Sequence, residues 1–326
     1  MSKERERVVF VFSDAAGANA CLAQAFILQK ENNCEITCFS NKQNFHEAQW
    51  PFLVQLKEKI TESDLQNADV LFTGTSHPES SSHFELKAIQ LAKSKYLNTI
   101  AYVDHWTNIS LRFEWNGEMV YPNEVWLPDQ MAQTMAIKEG VPEKIIQIRK
   151  NPYLAYLASH WKSVYPEKGY AKKLLLPSSK KIIVIAPDPI SLRTKDFDPG
   201  FTEVSALTAL LESIQKSGMQ DRVAVVIKAH PLQPVEVLLP ALNHFISLGL
   251  TLKVLTESNN PELINIADLV IGFYSNFLLE AREMNKSVVR YFPGNSELDP
   301  LKHLVDLPSI SNASEALLSL QSLFPL

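Results

Sequence analysis

Four short polar clusters each follow an apolar, β-rich run: Ser13-Asp14, Asp104-His105, Lys228-Ala229-His230-Pro231 and Gly272-Phe273-Tyr274-Ser275-Asn276. In open parallel sheets, ligands bind beyond the carboxyl ends of the strands, so chemistry is expected at these four places. Lys228 and His230 stand two residues apart and point to one side if the strand continues. Pro231 then stops sheet pairing and fixes the exit of the chain. One permanent positive charge and one titratable donor suit phosphate oxygens. Ser275 and Asn276 open a helix after a strand, where hydroxyl, amide and free backbone N–H groups also suit a phosphate. The alternative for these two is plain helix capping. Glu280, about one turn on, suits the diol of a ribose, or else occupies an exposed helix position.

The other two clusters suit proton transfer. Asp14 is placed to act as a general base, or to cap the helix that follows it. Asp104 can orient His105, whose imidazole shuttles protons near neutral pH, provided the chain turns there. Trp106 next to them offers a stacking surface for a sugar or base, or packs as part of a turn. A long polar loop, 187–200, carries Ser191, Arg193 and Lys195, a set able to grip a diphosphate or to form solvated surface. Gly17 is the only glycine in 13–19, so a standard dinucleotide fingerprint is absent. No HExxH, paired CxxC or Asp-rich calcium loop occurs, and His77 and His83 have no obvious third ligand, so no metal site is expected. Neither a P-loop nor a GxSxG elbow is present.

The elements that must position these residues alternate. Short apolar runs at 8–12, 35–39, 68–73, 99–103, 124–127 and 145–148 read as strands, with helices predicted at 15–30, 80–95 and 129–139. The pattern restarts at 181–186, with strands at 222–228, 251–255, 268–272 and 287–292, the last of the chain. Helices are predicted at 201–216, 235–247, 261–266 and from 275. The stretch between them, rich in aromatics and prolines, reads as a connection with some helix at 153–161. The expectation is an α/β chain of two Rossmann-like domains with mostly parallel sheets facing across a cleft. Residues 1–150 form the first domain, 151–180 the connection and 181–326 the second.

Bulk properties narrow the partners. The 326 residues carry 31 basic and 36 acidic side chains, a net charge of −5, which does not suggest a nucleic-acid binder. No apolar run approaches the ~20 residues needed to span a bilayer, and the charged N-terminus does not read as a signal peptide. Three cysteines, Cys21, Cys34 and Cys38, read as buried apolar residues rather than a disulfide framework. A cytoplasmic protein is expected, with room left for peripheral membrane contact.

Taken together, the two Rossmann-like halves, the strand ending in Lys228-x-His230-Pro231 and the later Ser275-Asn276-x-x-x-Glu280-Ala281 resemble the GT-B glycosyltransferase superfamily. The likeness is nearest to bacterial surface-polysaccharide enzymes: sialyltransferase-like, capsule-transferase and glycerophosphotransferase families. Non-hydrolysing UDP-N-acetylglucosamine 2-epimerases share the fold and a comparable serine-to-glutamate element. The resemblance implies a glycosyltransferase that needs no bound metal or other cofactor. Its donor is a sugar nucleotide and its acceptor a saccharide or a lipid-linked group. His230, Ser275 and Asn276 would contact the donor phosphates and Glu280 the ribose. The acceptor and base would belong to the first domain, with Asp14 or the Asp104/His105 pair as base. The acidic element of the sialyltransferase-like families is missing. The alternatives are a sugar-nucleotide 2-epimerase and a non-catalytic binding protein on the same fold.

Overall fold

Each half of the chain starts from an apolar run that becomes the centre of a parallel sheet. The computed structural model describes residues 5–32, 34–43, 45, 49–76, 83–106, 108–165, 169–192, 198–230, 232–316 and 318. It divides into two compact units, Met1–Tyr156 and Leu157–Leu326.

In the first unit the order is β1 (Arg7–Phe12), α1 (Ala15–Asn32), β2 (Glu35–Ser40), β3 (Val54–Leu56), β4 (Val70–Thr73), α2 (Phe84–Ser94) and β5 (Asn98–Tyr102). There follow β6 (Glu114–Trp115), β7 (Glu118–Met119), β8 (Glu124–Leu127), α3 (Gln130–Lys138), β9 (Ile146–Ile148) and α4 (Pro152–Val164), which runs on into the second unit. Seven strands form one parallel sheet in the order β3-β2-β1-β4-β5-β8-β9. The second unit has α5 (Tyr170–Lys173), β10 (Lys181–Ala186), α6 (Glu203–Lys216), β11 (Val223–Lys228), α7 (Val235–Ser247), β12 (Thr251–Leu255) and α8 (Asn260–Ile266). It ends with β13 (Leu269–Gly272), α9 (Asn276–Glu283), β14 (Ser287–Tyr291), β15 (Ser309–Ile310) and α10 (Ala313–Ala316). Its sheet is also parallel, in the order β12-β11-β10-β13-β14-β15. Both orders follow the doubly wound Rossmann pattern, so the expected α/β fold class is the one observed.

The runs Val8–Phe12, Ile182–Ala186 and Val223–Ile227 are buried residue by residue, as strands covered on both faces must be. The two units also share a device at the opposite end of the sheet. Asp69 precedes β4 and accepts the backbone N–H of Arg7 at 2.8 Å, while Asp268 precedes β13 and accepts that of Ile182 at 2.8 Å. Each aspartate pins the start of the central strand to its neighbour across the point where the strand order reverses.

Three features depart from the sequence reading. β14 is not the last strand: β15 pairs with it, Arg290 opposite Ser309 and Tyr291 opposite Ile310. β3 adds an edge beside β2, with Cys38 opposite Val54. Both are too short to carry an alternation that sequence can reveal. The hairpin β6–β7 turns through Asn116 and Gly117, both at positive φ (53° and 79°). An Asn-Gly pair is the strongest local hairpin signal, and the sequence reading passed over it. Among the described residues no helix is long and apolar enough to cross a membrane. The three cysteines are buried and free.

At the reversal in the first unit, α1 and the end of β4 touch backbone to backbone. A Cβ placed on Gly74 would lie 2.7 Å from Gly17 Cα. Gly74→Ala must therefore push the first turn of α1 away from β4. The expected cost is about 1–3 kcal/mol of stability, measured as a lower urea midpoint at unchanged m-value; an unchanged midpoint would refute the contact.

Candidate functional site

In the second unit the strand order reverses between β10 and β13, and polar groups gather at their carboxyl ends. The chain leaves β10 through Pro187 to Asp188, which is 4% exposed. Its Oδ2 accepts the backbone N–H of Tyr274 at 3.0 Å, tying the exits of the two strands together. Lys228 closes β11, with its Nζ 5.3 Å from the centroid of the Phe277 ring in the first turn of α9. Burial pulls the Lys228 ammonium below its ordinary pKa, while Glu280 and Asp188 pull it back up. Glu280 is buried in turn. Burial pushes its carboxyl up to about 7, opposed by Lys228 and by a hydrogen bond from Asn260. That bond runs from Asn260 Nδ2 to Glu280 Oε1 at 3.4 Å. Oε2 is buried and accepts no hydrogen bond among the described residues. Ser275 Oγ is buried without a partner among the described residues as well, although Ser275 stands at the N-cap of α9. Thus the capping alternative does not describe its hydroxyl, and the exposed alternative does not describe Glu280.

His230 lies two residues beyond β11 and its Nδ1 accepts the backbone N–H of Leu232 at 3.2 Å. A neutral imidazole held this way presents Nε2–H as its donor. Asn276 opens α9 and is half-buried. Ser191 is placed otherwise: its hydroxyl and its backbone N–H both bond the buried carboxylate of Glu203, the N–H at 2.9 Å. The Ser191 hydroxyl is thus engaged within the fold rather than free for a diphosphate. Arg193, Lys195 and Pro231 lie outside the described residues.

In the first unit the reversal falls between β1 and β4. Asp14 follows β1 and its Oδ1 accepts the N–H of Gly17 at 2.6 Å, so it does cap α1. Its carboxyl is pushed up to about 7, first by burial, then by Asp104, and further by Glu85; the Gly17 N–H and Arg112 oppose the rise. Asp104 has found a cation rather than His105, with Arg112 Nη1 3.5 Å from its Oδ1. The same Nη1 donates to the carbonyl of Thr75 at 2.6 Å, while Arg112 Nε is buried without a hydrogen bond. His105 packs against Trp106 at 5.8 Å between ring centroids. Trp106 does not present the expected stacking surface: it is buried, and its indole N–H donates to Asp129 at 2.8 Å.

The sequence reading missed Glu85. This carboxylate is 3% exposed and takes a hydroxyl from Ser13 at 2.8 Å and one from Ser76 at 2.7 Å. Burial raises its pKa, and the two hydroxyls oppose that. A signal was present. Glu85 occupies the first place of an i, i+3, i+4, i+7 stripe with Ala88, Ile89 and Ala92, all buried. Asp188 was also passed over, hidden inside a loop whose length pointed to surface.

No protein-family model matches the chain, and no curated protein matches its sequence. Solved structures do match in fold. UDP-GlcNAc 2-epimerase from Neisseria meningitidis, bound to UDP-GlcNAc, superposes with a TM-score of 0.64 at 11% identity, covering 97% of this chain and 90% of its own. The Methanocaldococcus jannaschii UDP-GlcNAc 2-epimerase gives 0.65 at 12% identity, with 97% and 92% covered. An Anabaena protein, HepE, in complex with UDP-glucose gives 0.55 at 13%, with 98% and 90% covered. The likeness defines the class of fold: two Rossmann-like units of the GT-B-like kind found in these sugar-nucleotide-binding proteins.

The raised Asp14 pKa has a stability consequence. Below about pH 4 both folded and unfolded chains carry the proton; between about 4 and 7 only the folded chain keeps it, so stability falls as pH rises through that window. Asp14→Asn retains the cap acceptor and loses the charge. The variant is expected to match the parent near pH 4 and to exceed it by about 1–3 kcal/mol at about pH 8 in chemical denaturation. Parallel pH profiles for the two proteins would show that Asp14 is not held in this way.

Proposed function

We propose that this chain binds a UDP-sugar through its second unit and inverts the configuration at C2 of an N-acetylhexosamine, as a sugar-nucleotide 2-epimerase. One observation carries the reading. A buried hydroxyl, that of Ser275, and a buried carboxylate oxygen, Oε2 of Glu280, lack partners among the described residues near a half-buried Lys228 at the reversal of a Rossmann sheet. A nucleoside diphosphate fits all three. Its phosphate oxygens accept from Ser275, Lys228 and the first N–H groups of α9, and its ribose diol donates to Glu280. His230, Asn276 and Arg193 remain assigned to the phosphates as proposals. The fold neighbours add weight, since those with epimerase activity in their names are bound to UDP-GlcNAc or named for it.

The chemistry then falls to the first unit. A C2 proton beside an ordinary carbon is not acidic. It leaves readily only as the bond from C1 to the diphosphate breaks, and its return on the opposite face with the diphosphate back on C1 inverts C2. Such a step needs carboxyl groups that both hold and release a proton near neutrality. Asp14, at about 7, is matched to that task, and Asp104 and His105 are the further candidates. A second reading keeps the same nucleotide site and transfers the sugar to a saccharide or lipid-linked acceptor in surface-polysaccharide synthesis. The Lys228-x-His230 strand end supports it equally.

Binding is tested first. At 100 times its dissociation constant, UDP stabilises the fold by ~2.7 kcal/mol, which thermal unfolding detects. Lys228→Met and Ser275→Ala are each expected to weaken UDP about tenfold or more, the loss of one charge-assisted or buried hydrogen bond. Glu280→Gln is expected to reduce the preference for UDP over 2′-deoxy-UDP. No UDP binding would overturn both readings. Proton NMR of UDP-GlcNAc in deuterated water then separates them. Epimerisation replaces the C2 proton with deuterium and yields the manno epimer without any acceptor. Transfer leaves C2–H intact and releases UDP when an acceptor is added. Binding with neither outcome would mark a binding protein.

A further inference from the structure

Glu85 is buried at the reversal of the first sheet. Its two oxygens reach in different directions. Oε2 accepts from Ser13, the residue after β1, and Oε1 accepts from Ser76, three residues after β4. These are the two strand ends between which a doubly wound sheet opens its ligand crevice. We propose that Glu85 is a positioning residue for the Asp14 carboxyl, clamping the exits of β1 and β4 through Ser13 and Ser76 so that Asp14 and the first turn of α1 are held in one register against Gly74. The inference deepens the proposed function and rests on the reading of Asp14 as the proton-handling group.

Three features of the geometry support the clamp. Ser13 is directly bonded to Asp14 in the chain, so fixing its hydroxyl fixes the backbone that carries the Asp14 side chain. The Gly17–Gly74 approach leaves no slack between α1 and β4, so a shift of either strand end would be felt at the cap. Thr75, next to Ser76, is held by two further bonds: its hydroxyl donates to the Tyr102 carbonyl at 3.1 Å, and its own carbonyl accepts from Arg112. Glu85 thus joins β1 to a β4 exit that is already anchored on β5.

A neutral bridge would hold the same parts. A glutamine can accept one hydroxyl through its oxygen and donate to the other serine through its amide. What the carboxylate adds is charge facing Asp14. The groups that face Asp14 are Glu85 on α2, with His83 just before it in the same cavity lining, Asp104 and Arg112 after β5, and the Cys21 thiol about two turns along α1. Removing the Glu85 charge leaves Asp104 as the nearby acid, still opposed by Arg112.

The Gly17 amide reports on Asp14 directly, because it donates to the carboxyl at 2.6 Å. Its proton shift, followed by NMR in the full chain as pH is varied, reads the Asp14 titration, and its hydrogen exchange reads the order of the cap. Glu85→Gln is expected to keep the amide protected and to move the midpoint to lower pH. Glu85→Leu is expected to speed exchange about tenfold, the factor for one hydrogen bond's worth of local stability. Should Glu85→Leu fail to fold, the paired change Ser13→Ala and Ser76→Ala removes both arms with smaller volume loss and is expected to give the same faster exchange. Wild-type exchange in these variants would overturn the clamp, and an unmoved midpoint in Glu85→Gln would overturn the charge role. With UDP-GlcNAc, Glu85→Leu is expected to lower kcat with KM little changed, and Glu85→Gln to restore much of it. Absence of turnover in the wild type would overturn the functional reading alone, because the Gly17 measurements need no substrate.

Discussion

A doubly wound parallel sheet reverses its strand order once, and the connections on either side of that reversal leave to opposite faces. Backbone therefore does not cover the carboxyl ends of the two strands at the break, and side chains must satisfy or exploit what is left open. Both units obey this constraint, between β1 and β4 and between β10 and β13. At the amino ends the two breaks are closed alike, by Asp69 on Arg7 and by Asp268 on Ile182. At the carboxyl ends the solutions diverge, and that divergence is the chemical content of the molecule.

The first unit's break is closed by carboxyl groups. Asp14, Glu85 and Asp104 share it with one guanidinium, and each has hydrogen bonds within the protein. Burial, then the charges of Asp104 and Glu85, raises the Asp14 pKa to about 7 against the opposing Gly17 N–H and Arg112. The second unit's break is left incomplete. Lys228 stands against two carboxyl groups, Glu280 and Asp188, and Ser275 Oγ and Glu280 Oε2 have no partners among the described residues. A proton inventory and an unfilled set of hydrogen bonds are different things. The first suits reaction and the second suits binding, and the proposed division of labour between the units follows from that difference.

The fold was legible because parallel strands buried on both faces must be apolar throughout. Val8–Phe12, Ile182–Ala186 and Val223–Ile227 announce themselves by composition alone. Edge strands escape that rule. β3 and β15 are held by three and two residue pairs, and nothing in Val54–Leu56 or Ser309–Ile310 differs from a loop. The candidate site was legible where a polar residue closes or follows such a run, as Asp14, Lys228 and Ser275 do. It was not legible where partner choice depends on distant residues. Asp104 next to His105 invited a pair, yet Arg112 took the carboxylate. Trp106 looked available, yet Asp129, 23 residues on, holds its indole. Ser191 looked like a ligand for phosphate, yet Glu203 takes its hydroxyl.

Glu85 and Glu280 show what a helical stripe can conceal. Each sits where an apolar residue would pack: Glu85 with Ala88, Ile89 and Ala92, and Glu280 with Phe277, Ala281 and Met284. A leucine there would bury area without a desolvation penalty, so packing alone gives no reason for an acid. For Glu85 the reason is visible within the protein, in two serine hydroxyls that no apolar side chain could hold. For Glu280 only half a reason is visible. Asn260 satisfies one oxygen weakly at 3.4 Å, and the other has no hydrogen-bond donor among the described residues. A buried acceptor left open forfeits on the order of 1–3 kcal/mol. Lys228 offsets part of that through its charge but makes no ion pair within 4 Å among the described residues. The ligand proposed for this site, with paired hydroxyls at one end and phosphate at the other, would supply a donor to Glu280 and acceptors to Ser275 and Lys228 in one binding event.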